Sequence, residues 1–182
     1  MNFQALNNLR VTGRVDKATK RIMRQPRFCN LPDTDTFAAL TNTAPYYNLG
    51  TTPFLPEHLV ERAFAQWQKA LKIVTFDRNG TNPDLYLRWE LDDNPYYGFD
   101  GPSGTLGHAY FPYNWTGDGE IHIDGEEQWV DVNGANVTDS DRYRLTDLES
   151  VLAHEIGHAL GLPHIQQSGA LMCGIYFRVK DF

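Results

Sequence analysis

The sequence is poor in the features that would place it in several large classes of protein. Only two of its 182 residues are cysteine, Cys29 and Cys173, which is too few for a disulfide framework. The redox compartment therefore stays open on cysteine usage alone. No apolar run approaches the ~18 residues that would suggest a membrane helix, and no membrane partner is expected. Residues Met1–Arg10 lack an apolar core and do not read as a signal peptide. Basic residues are outnumbered, 16 against 23 acidic, for a formal charge of −7, and no Lys/Arg run offers a local basic patch. A nucleic-acid footprint is not expected on that balance. Internal repeats are also missing.

What remains is ordinary for a globular chain, with 41% hydrophobic and 21% charged residues, enough for one domain and a short extension. Residues 1 to about 25 are basic and polar, and the stretch from Val15 to Met23 suits a short helix. Residues 26–50 hold Pro26, Pro32 and Pro45 among many Thr and Asn residues and read as an extended linker. A helix is expected from about Pro56 to Leu71, where Val60, Ala63, Phe64, Trp67 and Leu71 share one face. Strands are expected at Ile73–Phe76, Asp84–Trp89, Thr105–Phe111 and Glu120–Asp124, with a long irregular loop over 90–104. A second helix should begin near Thr146, where Thr146-Asp147-Leu148-Glu149 fits a capping box, and should end at Gly161. Acidic residues gather between Asp84 and Asp147, which raises the possibility of hard-cation sites beside that of a solvated loop face.

The decisive stretch is His154-Glu155-Ile156-Gly157-His158-Ala159-Leu160-Gly161-Leu162-Pro163-His164. Histidines four apart on a helix share a face and can grip one metal ion. Gly161 permits the left-handed turn that brings His164 back as a third ligand. Three protein ligands leave a fourth position for water, as a catalytic zinc requires. Glu155 adjoins the first ligand without needing to bind metal, and is placed as the base that takes a proton from that water. The bland alternative is an amphipathic helix with two core histidines. At roughly one chance in 20 for each of five fixed positions, an accidental match is on the order of 10⁻⁴ per chain or rarer.

This pattern is the metzincin signature, which also demands a downstream Met-turn. Ala170-Leu171-Met172 supplies one, with Met172 expected as an apolar floor beneath the metal. Within that group the chain resembles the matrix metalloproteinases, or matrixins, from about Leu9 to Tyr176. The resemblance rests further on Phe99-Asp100-Gly101-Pro102-Ser103-Gly104-Thr105-Leu106-Gly107-His108-Ala109-Tyr110 and on His122-Ile123-Asp124-Gly125-Glu126-Glu127-Gln128-Trp129. It implies an α+β fold, with a twisted mixed sheet and an active-site helix. It implies a structural zinc at His108 and His122. It also implies calcium at Asp100, Asp124 and Glu127 with carbonyls of the 101–105 loop, and a second calcium site including Asp84 and Glu120. Residues 90–98 contain no histidine where the family has a third zinc ligand, and Asp93, or Asp92 beside it, is the available substitute.

Pro26-Arg27-Phe28-Cys29-Asn30-Leu31-Pro32-Asp33 resembles the family's propeptide cysteine switch, in which Cys29 would occupy the open zinc position. Here Phe28 separates Arg27 from Cys29, and Asn30 stands for a glycine. The resemblance thus divides the chain into a partial propeptide, residues 1–35, and a catalytic domain, residues 36–182, the whole expected to be a fragment or a shortened protein. Gly174 stands where the family has proline in the wall of the main specificity pocket, Tyr176 fits that wall, and Cys173 receives no role. The expected function is a latent zinc-dependent endopeptidase acting on extended polypeptides, with extracellular or matrix proteins as the substrates that the family resemblance implies. An activating protease, a monomeric state and secretion are implied as well, the last supported by sequons at Asn79, Asn114 and Asn136. Two rivals stand beside it: a weakly catalytic, metal-stabilised binding module of the same fold, and a zinc amidase acting on a non-protein substrate. Retention of Glu155 argues against the first, since a metal scaffold needs no base.

Overall fold

A computed structural model describes Gln4 and residues 9–24, 47–48, 56–78, 83–90, 99–112, 119–133 and 146–176. Cys29, Asp92, Asp93, the three sequons and most of the expected linker lie outside these residues.

The first element is helix α1, Lys17–Met23. Asp16 caps it by accepting from the Thr19 amide at 2.9 Å, which satisfies one of the donors a helix leaves open at its start. The buried Gln4 side chain organises the approach to this helix. Its amide nitrogen lies 2.8 Å from each of Thr12 Oγ1, Arg14 O and Thr19 Oγ1, among which its two N–H bonds are shared, while its oxygen accepts from the Thr12 and Gly13 amides.

Strand β1, Tyr47–Asn48, is followed by helix α2, Glu57–Leu71. The apolar face expected of α2 is the one it buries, with Leu59, Val60, Ala63, Phe64 and Trp67 turned inward. The expected strand at 73–76 does not form. Gln68 Oε1 accepts from the Phe76 amide at 2.7 Å, so a helix side chain takes a hydrogen bond that a ladder would need. The Phe76 ring then packs on Phe64 at 4.7 Å, and Ile73 stays 76% exposed.

The main sheet contains β1, β2 (Leu85–Glu90), β4 (Glu120–Asp124) and β3 (Gly107–Ala109), in that spatial order. β1 and β2 pair in parallel, β2 and β4 in parallel, and β3 runs antiparallel to β4, so the sheet is mixed. β3 is shorter than the expected Thr105–Phe111, because the Thr105 amide turns to the Asp100 carboxylate at 2.9 Å. A second pair, β5 (Trp129–Val130) with β6 (Thr146–Asp147), leads directly into helix α3, Leu148–Ala159.

The start of α3 differs from the expected capping box. Asp147, not Thr146, is the N-cap, and it accepts from the Ser150 amide at 3.0 Å and the Ser150 hydroxyl at 2.5 Å. Thr146 is already committed to the β5–β6 pair. Glu149 is thereby freed to reach α2, where it takes Arg62 Nε at 2.9 Å and Gln66 Nε2 at 2.5 Å.

Helix α3 is buried along its whole length. One flank meets α2, where Trp67 Nε1 donates to Ala153 O at 2.8 Å. Leu85, Leu87, Leu106, Ile121 and Ile123 of the sheet side join Leu148, Val151, Leu152 and Ile156 of α3 in one core. Each such side chain removed from water contributes about 1.5–3 kcal/mol, which explains why this helix is held so firmly under the sheet.

Candidate metal centre

His154 and His158 stand one turn apart on α3. The helix then closes in a Schellman turn: the Leu162 amide donates to Gly157 O at 2.9 Å and the Gly161 amide to His158 O at 2.8 Å. Gly161 has φ +96°, the left-handed conformation the sequence demanded of it. The reversal carries His164 back beside the helix. His158 Nε2 lies 3.0 Å from His154 Nε2, which lies 3.3 Å from His164 Nε2.

The opposite ring nitrogens explain this convergence. His154 Nδ1 lies 2.6 Å from Leu171 O, and His158 Nδ1 lies 2.7 Å from Leu162 O. A carbonyl only accepts, so both Nδ1 atoms carry the proton and each Nε2 presents its lone pair inward. Lone pairs gathered at 3 Å repel one another unless a cation lies between them. The donor set, all imidazole with tautomers held by backbone carbonyls, fits zinc. Among the described residues, no other group of three His, Cys, Asp or Glu ligand atoms falls within 4.8 Å. Burial depresses proton affinity here. The His158 imidazole is pushed down to about 3, by desolvation first and then by His164, and that of His154 falls well below its ordinary value by desolvation and its two neighbours. Neutral imidazoles are the ligand form.

Glu155 is fully buried, and neither carboxylate oxygen has a hydrogen-bond partner among the described residues. Burial raises its carboxyl pKa well above the ordinary value. The side chain points to the edge strand: a β-carbon at Gly107 of β3 would lie 3.2 Å from Glu155 Cγ. Gly107 is therefore a site residue that the sequence reading passed over, and only the strand-to-helix approach reveals its role.

Met172 lies beneath the helix as expected of the Met-turn. A β-carbon at Gly157 would collide with Met172 Sδ and come within 2.9 Å of Met172 Cε and of Trp67 Cζ2. The turn also holds the ligands, through the Leu171 carbonyl on His154 and through Gly174, where a β-carbon would come 3.1 Å from the His164 ring. Tyr176, fitted to the same wall by the sequence, accepts from the Asp147 amide at 2.8 Å and so ties that wall to the start of α3. On the other side Phe111 stands edge-on to the His158 ring at 5.5 Å, a contact no sequence pattern signalled.

The second histidine pair is also brought together. The β3–β4 register sets His108 opposite His122, with ring centroids 4.8 Å apart. Phe99 stacks on His108 at 5.0 Å, and Glu120 Oε2 lies 3.2 Å from His122 Nε2. Desolvation pushes these imidazoles down to about 3 and about 4. Asp93, proposed to complete the set, lies outside the described residues.

The carboxylates that the resemblance assigns to calcium lie along the 100–105 loop and its neighbour, without three of their oxygens coming within 4.8 Å of one another. Asp100 accepts from Thr105 N, Asp124 Oδ1 from the Glu126 amide at 2.8 Å, and Glu127 Oε1 from the Ser103 amide. Positive φ at Gly101, Ser103 and Gly104 curls the loop about Asp100. Burial, and then the charges of Asp124 and Asp100, raise the Glu127 carboxyl pKa. Asp84 stands just before β2 and Glu120 opens the adjoining parallel strand β4, where Tyr86 pairs with Glu120, and Glu120 also meets Arg88 at 3.2 Å.

Comparison with known proteins agrees with this geometry. The family model described as Matrixin matches residues 40–182. Human matrix metalloproteinase-20 is 34% identical over 187 residues, covering 96% of this chain and 36% of that protein. Horse (Equus caballus) interstitial collagenase is 33% identical, with 98% and 38% covered. Mouse (Mus musculus) interstitial collagenase A is 35% identical, with 99% and 39% covered. The chain thus spans well under half the length of these relatives.

Proposed function

The chain belongs to the matrixin family of zinc metallopeptidases, and from that premise we propose that it hydrolyses internal peptide bonds of extended polypeptides, extracellular matrix proteins among them. The observation that carries this reading is the convergence of three imidazole Nε2 atoms next to a buried Glu155 that has no hydrogen-bond partner among the described residues.

His154, His158 and His164 would hold the metal. Zinc bound there supplies a Lewis acid that polarises the scissile carbonyl and acidifies water. Glu155 takes the proton as the water oxygen bonds to the carbonyl carbon. It then delivers that proton to the amide nitrogen as the C–N bond breaks. The raised proton affinity of a buried carboxyl suits both halves of this transfer. β3 ends the main sheet among the described strands, so an extended substrate can pair with its outer side by β-augmentation. Gly107 keeps that strand close enough for Glu155 to reach the pairing segment.

His108 and His122 would hold a second, structural zinc, with Asp93 as the proposed third ligand. Asp100, Asp124 and Glu127 would hold calcium, with Asp84 and Glu120 at a second calcium site. Cys29 would close the catalytic metal in a latent form, released by an activating protease. Secretion and a monomeric state accord with the family reading. The test is zinc content and cleavage of a matrix-derived peptide, before and after removal of residues 1–35. Zinc bound at the three histidines, with cleavage only after removal, is the expected result. A zinc-loaded, trimmed chain that leaves peptides intact rejects the reading.

A further inference from the structure

A second apolar cluster stands apart from the main core. It joins Ile22 of α1 to Cys173 and Ile175, which follow the Met-turn, and Leu9 packs against it. The three central residues are 7%, 7% and 6% exposed. Other apolar side chains of the N-terminal segment face solvent, Val11, Val15 and Met23 all being more than half exposed. Leu9 and Ile22 are thus the ones turned inward. Their presentation is built in advance, because Gln4 bonds to Thr12, Arg14 and Thr19 at once and Asp16 caps the helix that carries Ile22.

The surface under Ile22 is not a neutral one. Cys173 and Ile175 flank Gly174, whose backbone abuts the His164 ring. Two residues before Cys173, the Leu171 carbonyl orients His154. The Met172 carbonyl accepts from the Ile165 amide at 2.8 Å, beside His164. One short segment, 171–175, therefore supports two of the three metal ligands, and the N-terminal segment covers its outer face.

We infer that residues 9–24 form a second clamp, acting without Cys29, that docks Leu9 and Ile22 on Cys173 and Ile175 and holds the turn beside the metal ligands. This deepens the latent-peptidase reading and rests on it for its consequence in activity. Removing the thiol latch alone would leave the clamp seated. Full release needs the apolar contact to break as well, which gives Cys173 a role as part of the docking surface.

The test uses the full chain in a Cys29→Ser background, where Cys173 is the sole thiol. Maleimide labelling of Cys173, loss of zinc to a chelator and peptide cleavage are followed for Cys29→Ser alone and with Ile22→Asp, Leu9→Asp or Ile22→Val added. Slow labelling is expected for Cys29→Ser and for the Ile22→Val variant. Either aspartate should raise the labelling rate about 10-fold or more by opening the contact locally, with faster zinc loss and faster cleavage. Circular dichroism melts establish that the main domain stays folded, and the two aspartates reach the same contact from separate parts of the segment. Equal labelling in all four proteins overturns the clamp. Faster labelling with unchanged zinc loss overturns its hold on the ligand turn. Faster labelling and zinc loss with no cleavage by any variant supports the clamp and rejects the peptidase reading instead.

Discussion

Glu155 and Gly157 lie two residues apart on α3 and carry opposite requirements. Glu155 is a carboxyl buried at a desolvation cost, with no hydrogen-bond partner among the described residues to offset it. A structural role does not account for that arrangement, and the proposed proton-transfer role does. Glu155→Gln keeps the shape and removes the base, so zinc content should hold while turnover falls ~10²–10⁴-fold. Metal analysis and single-turnover peptide cleavage on one preparation check both halves. Gly157 tests packing. Glycine inside a helix ordinarily loses about 0.5–1 kcal/mol to alanine, so Gly157→Ala should stabilise on backbone grounds. Here the added methyl meets Met172 Sδ and Trp67, and overpacking of this kind costs about 1–3 kcal/mol. A lower urea midpoint is therefore expected, and a raised one would mean that Met172 moves aside freely.

Among the elements, α3 decides the site, and its beginning matters as much as its histidines. Asp147 caps it, accepts from Val132 N at 3.3 Å, and receives the β5–β6 register on its own backbone. Asp147→Ala should lose about 0.5–2 kcal/mol, read as a shifted urea midpoint, and Asp147→Asn should lose less because the amide oxygen still accepts. Desolvation, opposed by the Ser150 bonds, raises the Asp147 carboxyl above its ordinary 3.8. The folded state then binds the proton more tightly than the unfolded one. This group's contribution to stability accordingly falls as pH rises from 3.8 through the raised value, and is regained on acidification. Asn has no such dependence, so the gap between wild type and Asp147→Asn should change in that window and level off above it. A constant gap across the window contradicts the assignment.

For the molecule as a whole, metals and the N-terminal segment set the behaviour. Burial, and then the charges of Asp124 and Asp100, raise the Glu127 carboxyl beside a curled loop, and these three carboxylates are the proposed calcium ligands. A calcium ion that binds only the folded chain stabilises it by about 2.7 kcal/mol at 100 times its Kd. The melting temperature should rise with calcium at constant zinc and fall on selective chelation; equal values with and without calcium would remove the assignment. Cys29→Ser in the intact chain should raise peptide cleavage, since serine is a poorer zinc ligand than a thiolate. Mass spectrometry of the same sample establishes that no cut has occurred, and cleavage that stays unchanged even when Ile22→Asp has opened the contact with Cys173 and Ile175 would leave Cys29 without a latching role.

Local chemistry settled what the sequence could settle alone. The 3.6-residue period put His154 and His158 on one face, and Gly161 was legible as the turn because a left-handed φ strongly favours glycine. Helix α2 was equally readable from its apolar spacing. Tertiary structure decided the remainder. Residues 73–76 have the composition of a strand, yet the Phe76 amide is held by Gln68 and no ladder includes them. The Thr146 capping box was locally sound, but the β5–β6 pair extends through Asp147, so the helix starts one residue later and Asp147 is its cap. The opposition of His108 and His122 depends on the register of two strands, which neither strand encodes by itself. The need for glycine at 107 and 157 comes from side chains 48 and 15 positions away in Glu155 and Met172. Cys173 gained its surroundings only when Ile22, far off in the chain, came to rest on it. Periodicity and turn chemistry act within a few residues; which distant backbone wins a hydrogen bond, and which side chain fills a contact, is decided when the whole chain packs.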